Sequence, residues 1–515
     1  DRTTRIPPPM IDGTPLTDET VTVVGGGIAG LAAACNLADA GATVTVVEQN
    51  DQLGGVTGQL TVDGFTFDTG PSWYMMPETF ERFFDHFGHS VEDYYGLERL
   101  DPQYRVFFKD GDRVDITPDI DRTRDLFESY EEGAAEALDD YLDSAARTFE
   151  IGMDRFVYTD RSRLRDLIDP EIIQAAPALK HLGSMQSFVE GYFENPKLQQ
   201  LLQYTLVFLG GSPHDTPSLY HLMAHVDFER GVYYPEGGMY SLIEALVSLG
   251  RELGVDYRVG QAVTGLESLS EGIRVEGEAG SHVADSVVAN ANPAHVEREL
   301  LPADRGRDPS YWDDQTYGPS AFMLYLGVEG DVEPLAHHSL VFPDDWDPHF
   351  DRIFQEPGWP EDPAYYLSVA SKTDDTVAPD GHHAVVVLVP IAPGLDDDPG
   401  RLESFRETVL ADLAAQTGVD LRSRIVVERS ASVSTFADRF NTPGGTALGL
   451  AHTLDQTGPL RPAHHAPDVE GLYYAGAFTS PGVGLPMAII SGEHAAEAVA
   501  RGADPSPVAD FAPNL

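Results

Sequence analysis

The chain has 515 residues, more than one hydrophobic core usually supports, so two or more domains are expected. Its 84 acidic residues outnumber 33 basic ones for a formal charge of −51, which excludes nucleic acid as a partner, and its single cysteine excludes an intrachain disulfide. The acids are spread along the whole chain, so the charge reads as a halophilic surface: it self-repels at low ionic strength and is screened at molar salt, where the Debye length is about 3 Å.

In chain order, residues 1–19, with Pro7-Pro8-Pro9 and no initiator Met, read as a flexible lead. Next comes Val21-Thr-Val-Val-Gly-Gly-Gly-Ile-Ala-Gly30, then an alanine-rich stretch to Gly41, then Ala42-Thr-Val-Thr-Val-Val-Glu48. A β-branched run, a Gly25-x-Gly27-x-x-Gly30 turn, a helical segment and a second strand ending in an acid form a dinucleotide-binding βαβ unit. Each residue type has a task. Gly25 allows the sharp turn, Gly27 lets the backbone approach a pyrophosphate, and Gly30 permits close helix–strand packing. Ile28 and Ala29 open the helix, whose free N–H groups suit phosphate oxygens, while Glu48 can accept from ribose hydroxyls. Cys35, on the same helix, is expected to be a buried packing residue.

Downstream, Gln49-Asn-Asp-Gln-Leu-Gly54-Gly55-Val56-Thr57 and Gly64-Phe-Thr-Phe-Asp-Thr-Gly70-Pro71-Ser72 extend the motif with two glycine-rich blocks. Near the other end, Gly471-Leu-Tyr-Tyr-Ala-Gly476-Ala477-Phe-Thr-Ser-Pro-Gly-Val483-Gly484-Leu485-Pro486 reads as a strand, a turn and a helix start. These blocks resemble the amine-oxidase and carotenoid-desaturase superfamily, and the Ala477-to-Gly484 turn resembles its phytoene desaturase branch of bacterial, fungal and archaeal type. Phe208-Leu-Gly-Gly-Ser-Pro213, Gly231-Val-Tyr-Tyr-Pro-Glu-Gly-Gly-Met239, Asp285-Ser-Val-Val-Ala-Asn290, Leu324-Tyr-Leu-Gly327, Ala336-His-His338 and Phe436-Ala-Asp-Arg-Phe-Asn441 continue the likeness in family order.

The resemblance implies an α/β fold: a doubly wound, Rossmann-like FAD-binding domain with an inserted α+β substrate domain, as in the amine oxidases. It implies FAD as cofactor, held by the residues quoted from Gly25 to Ser72, by Val263 on the adenine side, and by the C-terminal turn. One departure stands out. The family usually has Arg after the Gly-Gly turn, where this chain has Val56-Thr57: either another arginine substitutes, or the cofactor is held less tightly, or the change is drift at a site that backbone N–H groups already serve.

Between the ends, residues 20–110, 231–305 and 426–500 are expected to build the FAD domain, 111–230 a helical substrate or membrane subdomain, 306–425 a β-rich substrate domain, and 501–515 a polar tail. Residues 163–206 show helical periodicity with apolar stripes, and Ala384-Val-Val-Val-Leu-Val-Pro390 reads as a buried strand flooring a substrate cavity. No run of about 18 apolar residues and no leader pattern is present, so neither a membrane span nor export is expected.

Other constellations point less clearly to chemistry. His221-Leu-Met-Ala-His225 has metal-ligand spacing but lacks the Glu of a zinc protease and a third ligand, and the doublets at 337, 382 and 464 have no such spacing logic. No metal is expected. Phe80, Phe83, Phe84 and Phe87 fit either a greasy entrance or ordinary core packing. Glu236 and Asp438 lie in family-like blocks, yet neither is assignable as a catalytic base.

The function implied is FAD-dependent desaturation of a long acyclic carotenoid, either phytoene-like or a later bacterioruberin-route intermediate. Such a polyene would come from the lipid bilayer, implying a cytoplasmic enzyme peripherally associated with the membrane, with a quinone or oxygen as electron acceptor. A carotenoid isomerase or saturase on the same scaffold, or a non-enzymatic lipid carrier, remains open on sequence grounds.

Overall fold

The computed structural model describes residues 16–160 and 183–502; most of the expected lead and tail, and residues 161–182 of the helical segment, lie outside them. The expected βαβ unit forms as strand Thr20–Val24, helix Ile28–Asp39 and strand Thr43–Val47. It lies at the heart of a five-stranded parallel sheet, ordered Leu472–Tyr474, Ser286–Ala289, Thr20–Val24, Thr43–Val47, Asp256–Arg258. Three stretches far apart in sequence therefore close one domain, the α/β arrangement expected of a dinucleotide fold.

Small side chains decide how the crossover helix packs. Ala29, Ala32, Ala33, Ala34 and Cys35 are fully buried, and the helix lies against the C-terminal helix Leu485–Ala500 so closely that a Cβ on Gly492 would come within 2.4 Å of the Ala29 carbonyl oxygen. The Cys35 Sγ donates to the Leu246 carbonyl oxygen, and burial pushes its thiol pKa far up, so it is a packing residue. Helix Pro77–His86 buries Phe80, Phe83 and Phe84 in the same core, with Phe87 packed against it. The phenylalanine stripe is core, not an entrance.

The second sheet has seven strands, ordered Ile425–Ala431, Ser320–Glu329, His382–Ile391, Tyr365–Ser368, His338–Phe342, Tyr104–Phe108, Arg113–Ile116. All neighbours are antiparallel except His338–Phe342 beside Tyr104–Phe108. Tyr104–Phe108, within the segment 20–110 assigned to the dinucleotide domain, thus pairs in this sheet, because a short apolar strand carries no local mark of its partner. Alternation sorts the two faces. Phe322, Leu324, Leu326 and Val387 pack on helix Pro399–Thr417, whereas Ala321, Met323, Leu340, Phe342 and Leu388 face a cavity.

Helices Ala134–Gly152 and Pro196–Gln203 cover the cavity from the other side. Among the described residues, no helix is long and apolar enough to cross a membrane.

Candidate functional site

A single cavity of about 920 Å³ runs from the parallel sheet, past the C-terminal turn, to the seven-stranded sheet. Gly25, Gly27, Ile28, Ala29, Glu48, Gln49, Gly54, Gly55, Val56, Thr57, Gly70, Pro71, Ser72, Val263, Gly476, Ala477, Val483, Gly484, Leu485 and Pro486 all line it. Gly30 alone of the expected cofactor residues does not. A Cβ there would lie 2.3 Å from the Gly25 carbonyl oxygen, so its task is helix–strand packing.

The dinucleotide end is a backbone cradle. Gly25 turns the chain at φ +100°, and a Cβ on Gly27 would come within 2.6 Å of Asn290 Oδ1. Helices Ile28–Asp39 and Leu485–Ala500 both begin on glycine without a side-chain cap, and both begin at this cavity. Two sets of free N–H groups and two positive dipole ends therefore meet one space, which suits a pyrophosphate. Glu48 Oε2 accepts from the Gly26 N–H at 2.7 Å, and Oε1 accepts from the Asn50 backbone and side-chain nitrogens at 2.9 and 2.7 Å. Its carboxylate is thus oriented, with one lone pair left, on Oε2, for a ribose hydroxyl.

Sequence reading missed several wall residues. Asn290 donates to the Ala475 carbonyl oxygen at 3.1 Å, tying the second glycine-rich region to the first. Among the described residues Arg439 is the one arginine or lysine lining the cavity and it faces no carboxylate; its backbone oxygen accepts from Gln49 and Asn50. Arg461, fully buried, donates to the carbonyl oxygens of Leu450, Gln456 and Ala477 at 2.9, 3.0 and 2.6 Å and so fixes the C-terminal turn. Burial pulls its pKa down to about 10. Arg439 lay in a family-like block, whereas Arg461 had no sequence signal.

The far end is apolar. Phe149, Met153, Met223, Phe342, Trp346 and Leu388 line it together with strand and helix neighbours. Among the described residues, Glu48 and Arg439 are the only Asp, Glu, Lys or Arg side chains that line the cavity, and both sit at the dinucleotide end. The histidines there are committed. His349 Nε2 meets the Pro390 carbonyl oxygen at 2.7 Å, its Nδ1 accepts from the Ala364 N–H at 3.0 Å, and burial pushes its pKa down to about 4. His452 Nε2 accepts from the Val483 N–H at 3.2 Å while Nδ1 meets the Tyr220 hydroxyl at 2.6 Å.

Glu236 and Asp438 are exposed and do not line the cavity, so neither can act on a molecule held there. His221 and His225 diverge: the first bonds to Ser218 and Ser144, the second to Glu229. Where the two halves of the cavity meet, Ser72, Trp73, Tyr204 and Tyr366 form its wall. The Tyr366 hydroxyl bonds His338 Nδ1 at 2.7 Å, and the Tyr204 hydroxyl donates to Asp227 Oδ1 at 2.9 Å.

Residues 28–500 match the flavin containing amine oxidoreductase family. The chain is 60% identical over 487 residues to a carotenoid 3,4-desaturase of Haloarcula japonica, covering 94% of this chain and 98% of that protein. It is 34% identical over 478 residues to a zeta-carotene-forming phytoene desaturase of Myxococcus xanthus, covering 92% of each. The chain belongs to the carotenoid desaturases. The fold agrees: an oxidoreductase from Methanosarcina mazei superposes with a TM-score of 0.61 at 16% identity, over 92% of this chain and 98% of that one. The cavity joins the glycine-rich end to the apolar one.

Proposed function

We propose that this carotenoid desaturase uses FAD to introduce a double bond at the 3,4 position of a long acyclic carotenoid. The observation that carries the reading is the cavity's polarity. One end offers backbone donors, Glu48 and Arg439 to a dinucleotide, while the other, among the described residues, offers no Asp, Glu, Lys or Arg to its occupant. A polyene has few polar groups to recognise, so burial of apolar area must hold it, at about 25 cal/mol per Å².

The residues fit the cofactor. The Gly25–Gly30 turn and both uncapped helix starts take the pyrophosphate, Glu48 the adenosine ribose, Val263 the adenine side, and the Gly70–Ser72 and Ala477–Pro486 segments the flavin end. Arg439 supplies the guanidinium that Val56 lacks. When bound, FAD supplies a two-electron hydride acceptor. The apolar wall excludes water and positions the allylic carbon, while the conjugated chain spreads the positive charge left behind. The adjacent C–H is then strongly acidic, so a weak acceptor suffices, and Tyr366 backed by His338 fills that role at the junction.

Leu454 and Leu460, each more than half exposed, also line the cavity and form an apolar lip. They support peripheral contact with the cytoplasmic face of a bilayer, from which the carotenoid is drawn. A quinone in the same bilayer, or oxygen, is the proposed final acceptor, and re-oxidation rates with each tell them apart.

Expression in a host that accumulates one acyclic carotenoid at a time tests the reading. A product two hydrogens lighter, with its new double bond at the 3,4 position, is expected. A product of unchanged mass would make the chain an isomerase, and one that gained hydrogens would make it a saturase.

A further inference from the structure

The C-terminal helix carries a second group of chemistry-bearing side chains, behind the cofactor turn and outside the cavity. His494, on this helix, and His464, next to the last strand of the parallel sheet, are buried with ring centroids 5.5 Å apart. His464 Nδ1 donates to the Tyr474 carbonyl oxygen at 3.0 Å, which leaves its Nε2 a bare acceptor without a hydrogen-bond partner. Neither ring nitrogen of His494 makes a hydrogen bond of good geometry, the Tyr158 backbone carbonyl being the nearest acceptor. Buried polar nitrogens almost always find partners, so three orphaned ones side by side need an explanation.

Asp160 supplies the third group. Its carboxylate and one nitrogen from each imidazole all lie within 4.8 Å of one another. We propose that Asp160, His464 and His494 bind a divalent transition-metal ion of the zinc class. Two imidazoles and a carboxylate are a borderline donor set that suits zinc or its neighbours and is poor for calcium or magnesium. Ligand atoms about 2.1 Å from an ion sit roughly 3.4 Å apart, so small side-chain rotations close the set. The His464 Nδ1–H bond to a backbone carbonyl is the outer contact that fixes the tautomer of a ligating histidine.

The ion would tie three separate segments together: the end of the helical layer at Asp160, the approach to the Leu472–Tyr474 strand, and the helix whose start lies against the cofactor. Its role is to brace the Gly476–Gly484 turn from behind. Glu493 is not a ligand, being paired with Arg82.

The test uses the full chain with its flavin, purified in high salt without a polyhistidine tag. Elemental mass spectrometry should find about one zinc-class ion per chain, or, after chelation, Zn²⁺ and Co²⁺ should rebind at micromolar concentration, Co²⁺ with visible ligand-field absorption. Asp160 is partly exposed, so Asp160→Asn leaves the core packed and should weaken binding at least about tenfold, while His494→Ala should abolish it. Chelation should lower the melting temperature of the wild type and leave that of His494→Ala unmoved. No ion in the purified protein together with no rebinding of either probe, or equal binding by wild type and a His464→Ala/His494→Ala double variant, would overturn the site.

Discussion

The two ends of the cavity are built by opposite means. The dinucleotide end is made of backbone: glycine turns, uncapped helix starts and a carboxylate held by amide donors, with motifs concentrated in residues 21–72 and 471–486. The carotenoid end is made of side chains, Phe149, Met153, Phe342, Trp346 and Leu388, brought from helices and strands far apart in sequence. Backbone recognition demands particular residues at particular spacings, because only glycine tolerates the required approach. Apolar recognition demands only volume, which many side chains can supply.

That contrast can be broken one end at a time, and the largest effect is expected at the glycine cradle. Gly27→Val places branched carbon where Asn290 Oδ1 lies 2.6 Å from the Cβ position. FAD retention should fall by about 100-fold or more, read from flavin absorbance of the purified protein. Full occupancy in this variant would remove the cradle from the account.

The opposite lesion is Leu388→Trp, which fills the apolar end. It should cost about 100-fold in turnover while the flavin spectrum stays that of the wild type, because displacing a substrate by an ångström or more has that effect. If flavin binding fell along with turnover, the two ends would not be independent.

At the junction, Tyr366→Phe keeps the ring and removes the hydroxyl that bonds His338. The expected loss is about tenfold in kcat with KM unchanged, at the low end for proton-transfer residues, because the proton leaving a carbocation is already acidic. An unaltered kcat would show that the proton leaves by another route.

A comparable loss in a different quantity is expected for Arg439→Ala, about tenfold weaker FAD binding, from removal of one charge-assisted contact. Val56→Arg should restore it, since Val56 lines the same space. Failure of both results would mean that backbone donors alone hold the pyrophosphate.

The smallest effect is spread over both ends. With a formal charge of −51, dilution from about 2 M to 0.1 M salt should lower the melting temperature by several degrees, as the Debye length lengthens to about 10 Å. Circular dichroism melts across a salt series measure it, and identical melts would argue against the acidic surface as a halophilic adaptation.

What was legible in the sequence follows the same division. The Thr20–Val47 unit, the Gly54–Gly55 and Gly70–Ser72 blocks and the C-terminal turn all reach the cavity, because each is a local pattern whose spacing is its geometry. The strand Tyr104–Phe108 could not be placed in its sheet from sequence, since its parallel partner His338–Phe342 lies more than 200 residues away. Arg461 carried no signal for the same reason: its work is done entirely through distant carbonyls. The Phe80–Phe87 stripe fitted two readings equally until packing decided it, because helical periodicity says that a face is covered and not by what. His464 and His494 are 30 positions apart and meet only because the last strand and the last helix fold back on each other.

The central claim, that one cavity couples a flavin to a polyene for net oxidation, is tested most directly by anaerobic mixing of the FAD-loaded protein with an acyclic carotenoid in liposomes. The flavin band should bleach as the polyene spectrum shifts red, one flavin per double bond formed, with a product lighter by two hydrogens. A polyene that binds or changes shape while the flavin stays oxidised and the mass stays constant would contradict it.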